Sequence, residues 1–148
     1  MRLFLVSIIC LISLAQMAQE VESKNNLLLD GFLKTETGET LPKHQIDVKS
    51  KDGNTLELIH TDVAGRFKVY FPFDEIRELW FSKAGYHTKI LVVDTRNVPH
   101  SERKWGYEYG GFNVKLESIG LGNHAISRVA AIRYSPEVEN FDFEILTQ

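Results

Sequence analysis

Cysteine is almost missing from the chain. Its 148 residues hold one, Cys10, and that one lies inside an apolar stretch near the N-terminus. A fold without disulfides must be held by its hydrophobic core alone, which a domain of this length can manage. Long apolar runs are equally scarce. Leu3 to Leu14 (LFLVSIICLISL) is shorter than the roughly 20 residues of a membrane-spanning helix and, behind Met1-Arg2, fits the hydrophobic region of a signal peptide. Ser13 and Ala15 meet the small-residue preference for cleavage, so 1–15 is expected to be a signal peptide, with the mature chain starting near Gln16; a retained N-terminal anchor is the alternative. Nothing like a lipobox precedes Cys10, which argues against lipidation. The expected compartment is the periplasm or beyond, with no transmembrane segment in the mature chain.

Clustered positive charge is absent too. The chain carries 17 basic and 20 acidic residues with no run of Lys or Arg longer than two, and losing Arg2 with the leader makes the formal charge about −4. A nucleic-acid partner has no electrostatic footprint here. The five histidines, His44, His60, His87, His100 and His124, fall in separate segments without a His-x-His or His-x-x-x-His pair, so neither a metal site nor a cofactor is expected. Neither a Gly-x-Ser-x-Gly elbow nor a phosphate loop occurs. No enzyme class is indicated.

What is present is β-structure. With 43% apolar and 25% charged residues, the composition is that of one ordinary globular domain. After a leader over 16–26, Asn26 to Lys34 is apolar; His44 to Lys49 alternates with Ile46 and Val48 on one face; and Asp52-Gly53 marks a tight hairpin before Thr55 to Thr61. Asp62 to Gly65 turns into Arg66 to Phe71, where Phe67, Val69 and Phe71 alternate with polar neighbours. Glu75 to Lys83 is ambiguous: Ile76, Leu79 and Trp80 could mark one helical turn, but Trp80-Phe81 before Gly85 suits a strand better. Ile90 to Val93 is apolar on both faces, as in a central strand, and Gly111 to Glu117 alternates again with Phe112, Val114 and Leu116 inward. Seven short strands without a long helical pattern predict a β-sandwich over 27–118. Beyond it, 119–148 forms an extension. Its strand-like parts, Val129 to Tyr134 and Phe141 to Ile145, suit either a hairpin laid on the domain's own sheet or an arm that completes a partner's sheet after a glycine-bearing linker, 119–127.

Gly31 to Val48 (GFLKTETGETLPKHQIDV), Thr61 to Phe67 (TDVAGRF) and Phe81 to Val93 (FSKAGYHTKILVV) together resemble the carboxypeptidase regulatory-like domain, a transthyretin-like sandwich. The shared features are a first strand with glycine, a TG-x-x-LP turn, a TD-x-x-G-x-F hairpin and a K-x-GY turn before an apolar strand. The resemblance implies an all-β, seven-stranded Greek-key fold of the prealbumin-like type, followed here by the strand-like C-terminal extension. Asp94 to Leu116, with the IRYSPEVENFDF tail, is similar to small secreted proteins of Bacteroidetes-type Gram-negative bacteria. Neither likeness brings an activity. The zinc-dependent catalytic domain of carboxypeptidases has no room beside the sandwich in these residues, and the Tyr-Arg-Gly-Ser motif of transthyretin-like hydroxyisourate hydrolases does not occur.

One stretch stands out: RKWGYEYGGF, 103–112. Its favoured reading is an aromatic plug, a loop closing one end of the sandwich with Trp105 and Tyr107 between the sheets, while Gly106, Gly110 and Gly111 allow the bends. The other is a contact platform in which Trp105, Tyr107 and Tyr109 stack on a carbohydrate or peptide and Arg103 and Lys104 supply cations. The expected function is therefore a non-enzymatic envelope module acting through protein contacts, with carbohydrate binding through this loop as the alternative.

Overall fold

A computed structural model describes residues 24–146. The expected signal peptide, its cleavage site near Gln16, and Cys10 lie outside the described residues.

Among the described residues nine strands form two sheets. The smaller, in the order β4–β1–β7, is built from β1 (Asn26–Thr35), β4 (Arg66–Pro72) and β7 (Tyr107–Leu116). The larger runs β3–β2–β5–β6–β8–β9, from β2 (Gln45–Ser50), β3 (Thr55–His60), β5 (Ile76–Phe81), β6 (Thr88–Asp94), β8 (Ile126–Ser135) and β9 (Asn140–Ile145). The ambiguous segment before Gly85 is thus a strand. Its Leu79 and Phe81 face the core, while Trp80 turns to the outer face and donates its indole N–H to Glu78 at 2.9 Å. Among the described residues no helix is long and apolar enough to cross a membrane.

Alternation decides which side chains fill the sandwich. Leu27, Leu29 and Leu33 of β1, Phe67, Val69 and Phe71 of β4, and Val114 and Leu116 of β7 pack onto Ile46, Val48, Leu79, Phe81, Leu91 and Val93. β6 is apolar on both faces because it is central, antiparallel to β5 on one side and parallel to β8 on the other. The chain leaves the large sheet after β6, places β7 parallel to β1 in the small one, and returns to set β8 beside β6. The tail therefore packs on its own domain. β9 continues the same sheet, antiparallel to β8, and strand structure begins at Ile126, inside the stretch expected to be linker.

Candidate functional site

The aromatic stretch is held by the end of the β6–β7 connection. Thr95 lies buried where that connection leaves β6, and its hydroxyl donates to the Pro72 carbonyl at 2.8 Å. Val98 is buried, and its carbonyl accepts from Arg103 Nε and Nη2 at 3.0 and 2.9 Å. The same guanidinium forks onto both carboxylate oxygens of Asp74, at 2.5 and 2.7 Å, and lies 5.7 Å from the Phe73 ring centroid. This bond holds the Asp74 carboxyl below the usual carboxylate range. Arg103 is thus occupied as a clamp between the loop and the β4–β5 turn, and its charge is already paired.

The three rings then part company. Arg103–Trp105 forms a single 3-10 turn, and Gly106 follows at φ 70°, a value side chains other than glycine rarely adopt. Trp105 falls before this break and remains 72% exposed, with Lys104 Nζ 4.8 Å from its ring centroid. It does not fill the gap between the sheets, contrary to the plug reading. Tyr107, the first residue of β7, does. Its ring meets Phe141, Tyr134 and Phe73 edge-on at centroid distances of 5.5, 5.7 and 6.3 Å. Burial pushes its phenol up to about 12, and a hydrogen bond with Tyr134 adds to the effect. Tyr109 also turns inward, 5.9 Å from Phe112, and burial raises its pKa. Arg103, Lys104, Trp105, Tyr107 and Tyr109 therefore do not form one surface. Trp105 beside Lys104 is the exposed remnant, next to an open depression lined by Leu28 and Glu108.

Two features escaped the sequence reading. The first is the β9 edge. Phe143 and Ile145 are 40% and 71% exposed although both share the core-facing parity of Phe141. Phe141 is covered by Tyr107, and β7 is the last strand of the small sheet, so cover runs out along β9. β9 pairs with β8 from Asn140 to Ile145 without a register shift, and it contains no proline or lysine. The backbone N–H groups of Phe141 and Phe143 donate to the side-chain oxygens of Asn140 and Asp142, each at 2.8 Å, rather than to a neighbouring strand. The opposite edge differs. β3 carries a bulge against β2 near Val48, and its half-exposed Leu58 lies on the outer face. The second feature is Lys89, which shares the inward parity of Leu91 and Val93 and sits opposite Phe81. That parity is visible in TKILVV, where a lysine stands in a core-facing position.

The histidines, read as separate, partly converge. The His87 and His124 rings lie 6.5 Å apart, with the Ala125 N–H donating to His87 Nδ1 and His124 Nε2 bonded to the Thr88 hydroxyl. Among the described residues no group of three or more His, Cys, Asp or Glu side chains is arranged to hold a metal ion.

No protein-family model matches the chain, and no curated protein matches it. Solved structures do. One is the catechol 1,2-dioxygenase of Acinetobacter radioresistens, at 13% identity and a TM-score of 0.45 over 73% of this chain and 59% of that one. Another is the catechol 1,2-dioxygenase of Pseudomonas arvilla, at 12% identity and a TM-score of 0.40 over 64% and 53%. The chain thus spans less than two thirds of the length of these enzymes. Likeness of this extent says nothing of what the chain does.

Proposed function

We propose that the chain is a non-enzymatic, exported β-sandwich module of the transthyretin-like, carboxypeptidase regulatory-like type, acting in the cell envelope by taking a strand of a partner protein onto β9. One observation carries the reading: an unbroken edge whose inner face continues the core with exposed Phe143 and Ile145. Natural sheets blunt such edges with bulges, proline or lysine, because an open row of backbone donors and acceptors is a template for strand addition. β9 lacks these devices, and the side-chain bonds on its outward N–H groups are local ones that an incoming carbonyl can replace. An added strand would cover Ile145 and gain backbone hydrogen bonds at the same time. Supporting export are the Leu3 to Leu14 run and the Ser13 and Ala15 pair. Carbohydrate binding ranks lower, since a stacking platform would rest on Trp105 alone.

Substituting Ile145→Lys places a charge on the edge and leaves the β8 pairing available. The variant is expected to melt like the parent and to lose the partner that the parent captures from a native envelope fraction, and a photo-crosslinker at position 145 should link to that partner while one at Lys51 does not. Equal capture by the Ile145→Lys protein would refute the β9 assignment.

A further inference from the structure

The β9 edge is acidic as well as open. After Arg133 the sequence holds Glu137, Glu139, Asp142 and Glu144 and no lysine, arginine or histidine. Glu137 and Glu139 stand exposed in the β8–β9 turn, while Asp142 and Glu144 are exposed on the outer face of β9, opposite in parity to Phe143 and Ile145. Arg133 of β8 lies across from Asp142 and donates to Glu144 Oε2 at 2.8 Å, so one of these charges is answered from within the sheet. Asp142 Oδ1 is engaged differently, accepting the outward N–H of Phe143 at 2.8 Å. An arriving strand whose carbonyl takes that N–H releases the carboxylate at the same moment. A cation on the same strand is what the released group then favours.

We propose that the segment β9 accepts is a strand in which apolar residues alternate with lysine or arginine. The inference rests on the β9 reading of the proposed function and adds the chemistry of the partner. Side chains of paired strands are neighbours on each face, so the apolar set of such a strand falls beside Phe143 and Ile145 while its cations fall beside Asp142 and Glu144. Both faces are then matched by one period-two pattern. A second copy of this chain is a poor occupant, because pairing β9 with β9 brings the same acidic residues face to face, and like charges on opposed strands are destabilising. An acidic partner strand is rejected for the same reason. Since Asp142 and Glu144 are exposed, their charge selects the partner and steers its approach, and the backbone bonds and the cover of Ile145 hold it.

Short peptides alternating valine with lysine, with serine or glutamate in place of lysine as controls, can be titrated into the isotope-labelled protein and followed by NMR. The lysine peptide should give saturable shifts centred on the amides of Phe141, Phe143 and Ile145. The serine peptide should perturb the same amides but bind about tenfold more weakly, the equivalent of two cross-strand ion pairs. The glutamate peptide should not bind, and added salt should narrow the gap between lysine and serine. Asp142→Asn with Glu144→Gln keeps an acceptor for the Phe143 N–H and should bring the lysine peptide down to the serine level while leaving the serine peptide unchanged. Equal binding of the lysine and glutamate peptides, lysine shifts centred away from β9, or undiminished lysine-peptide affinity in the double variant would each overturn the proposal. Equal binding of the lysine and serine peptides at the β9 amides would overturn the charge assignment alone and leave strand addition standing. Absence of saturable shifts with every peptide would overturn both, so failure of the partner chemistry and failure of the β9 edge are read separately.

Discussion

Replacing Trp105 and Tyr107 by alanine, one at a time, should give opposite results although both stand in one aromatic stretch. Trp105 is 72% exposed, so roughly a quarter of the approximately 250 Å² a tryptophan can bury is covered, or about 70 Å². At about 25 cal/mol per Å² that is at most about 1.7 kcal/mol, and less once contacts surviving in the unfolded chain are discounted. Trp105→Ala is therefore expected to cost about 1 kcal/mol or less. Tyr107 makes three edge-on ring contacts within the sandwich. Each contributes about 0.5–1.5 kcal/mol beyond burial, and removing a large packed aromatic costs about 3 kcal/mol or more in total. For a domain of this size about 4 °C of melting temperature corresponds to 1 kcal/mol, which puts Tyr107→Ala about 12 °C below the parent and Trp105→Ala within about 4 °C of it. Calorimetry on the three proteins separates these values. Tyr107→Phe keeps the ring contacts and loses the bond to Tyr134, so it should lie about 1 kcal/mol below the parent, well short of Tyr107→Ala. A Trp105→Ala protein as unstable as Tyr107→Ala would refute the assignment of the plug to Tyr107.

Two further outcomes follow from the packing. Because burial raises the Tyr107 phenol from 10.0 to about 12, its contribution is fully present below pH 10 and lost as the pH rises through 12, so stability should decline across that window in the parent and much less in Tyr107→Phe, as measured by denaturant titration with phenolate absorbance read alongside. Truncation after Ser118 removes β8 and β9 and uncovers the β6 edge, so the shortened chain should lose its cooperative melting transition; an unchanged transition would show that the tail does not hold the sheet.

Most of the architecture was legible because it rests on period-two alternation. Phe67, Val69 and Phe71 define β4 without help, and Asp52-Gly53 marks the β2–β3 hairpin, where Gly53 has φ 85°. Glu75 to Lys83 read ambiguously because its strand uses both faces, with Trp80 satisfied on the outer one by Glu78. The aromatic stretch was misread at Trp105 for a local reason. Trp105, Tyr107 and Tyr109 share one parity, so they look like one face of a strand, but the strand begins only after Gly106. A second break follows. Inward residues are odd-numbered up to Tyr109 and even-numbered from Phe112, and the switch occurs where the β1–β7 register shifts and Gly111 takes φ 81°. Two glycines between odd and even apolar positions were the available sign of a bulge.

The candidate surfaces were harder to see because they depend on how many strands each sheet has, which no single segment encodes. A small sheet of three strands lies against a large sheet of six, so the outer strands of the large one must end in water on their inner face. β3 meets that condition with a charged residue: Glu57 stands opposite buried Val48 on the core-facing side. β9 meets it with Phe143 and Ile145, which alternate as regularly as any core strand and are 40% and 71% exposed, cover thinning beyond Phe141. An apolar strand at such a margin loses free energy to water at every exposed inward position, a loss that a charged residue at the same place avoids. Two edges of one sheet with the same geometric problem and opposite chemistry are the reason for assigning contact to β9.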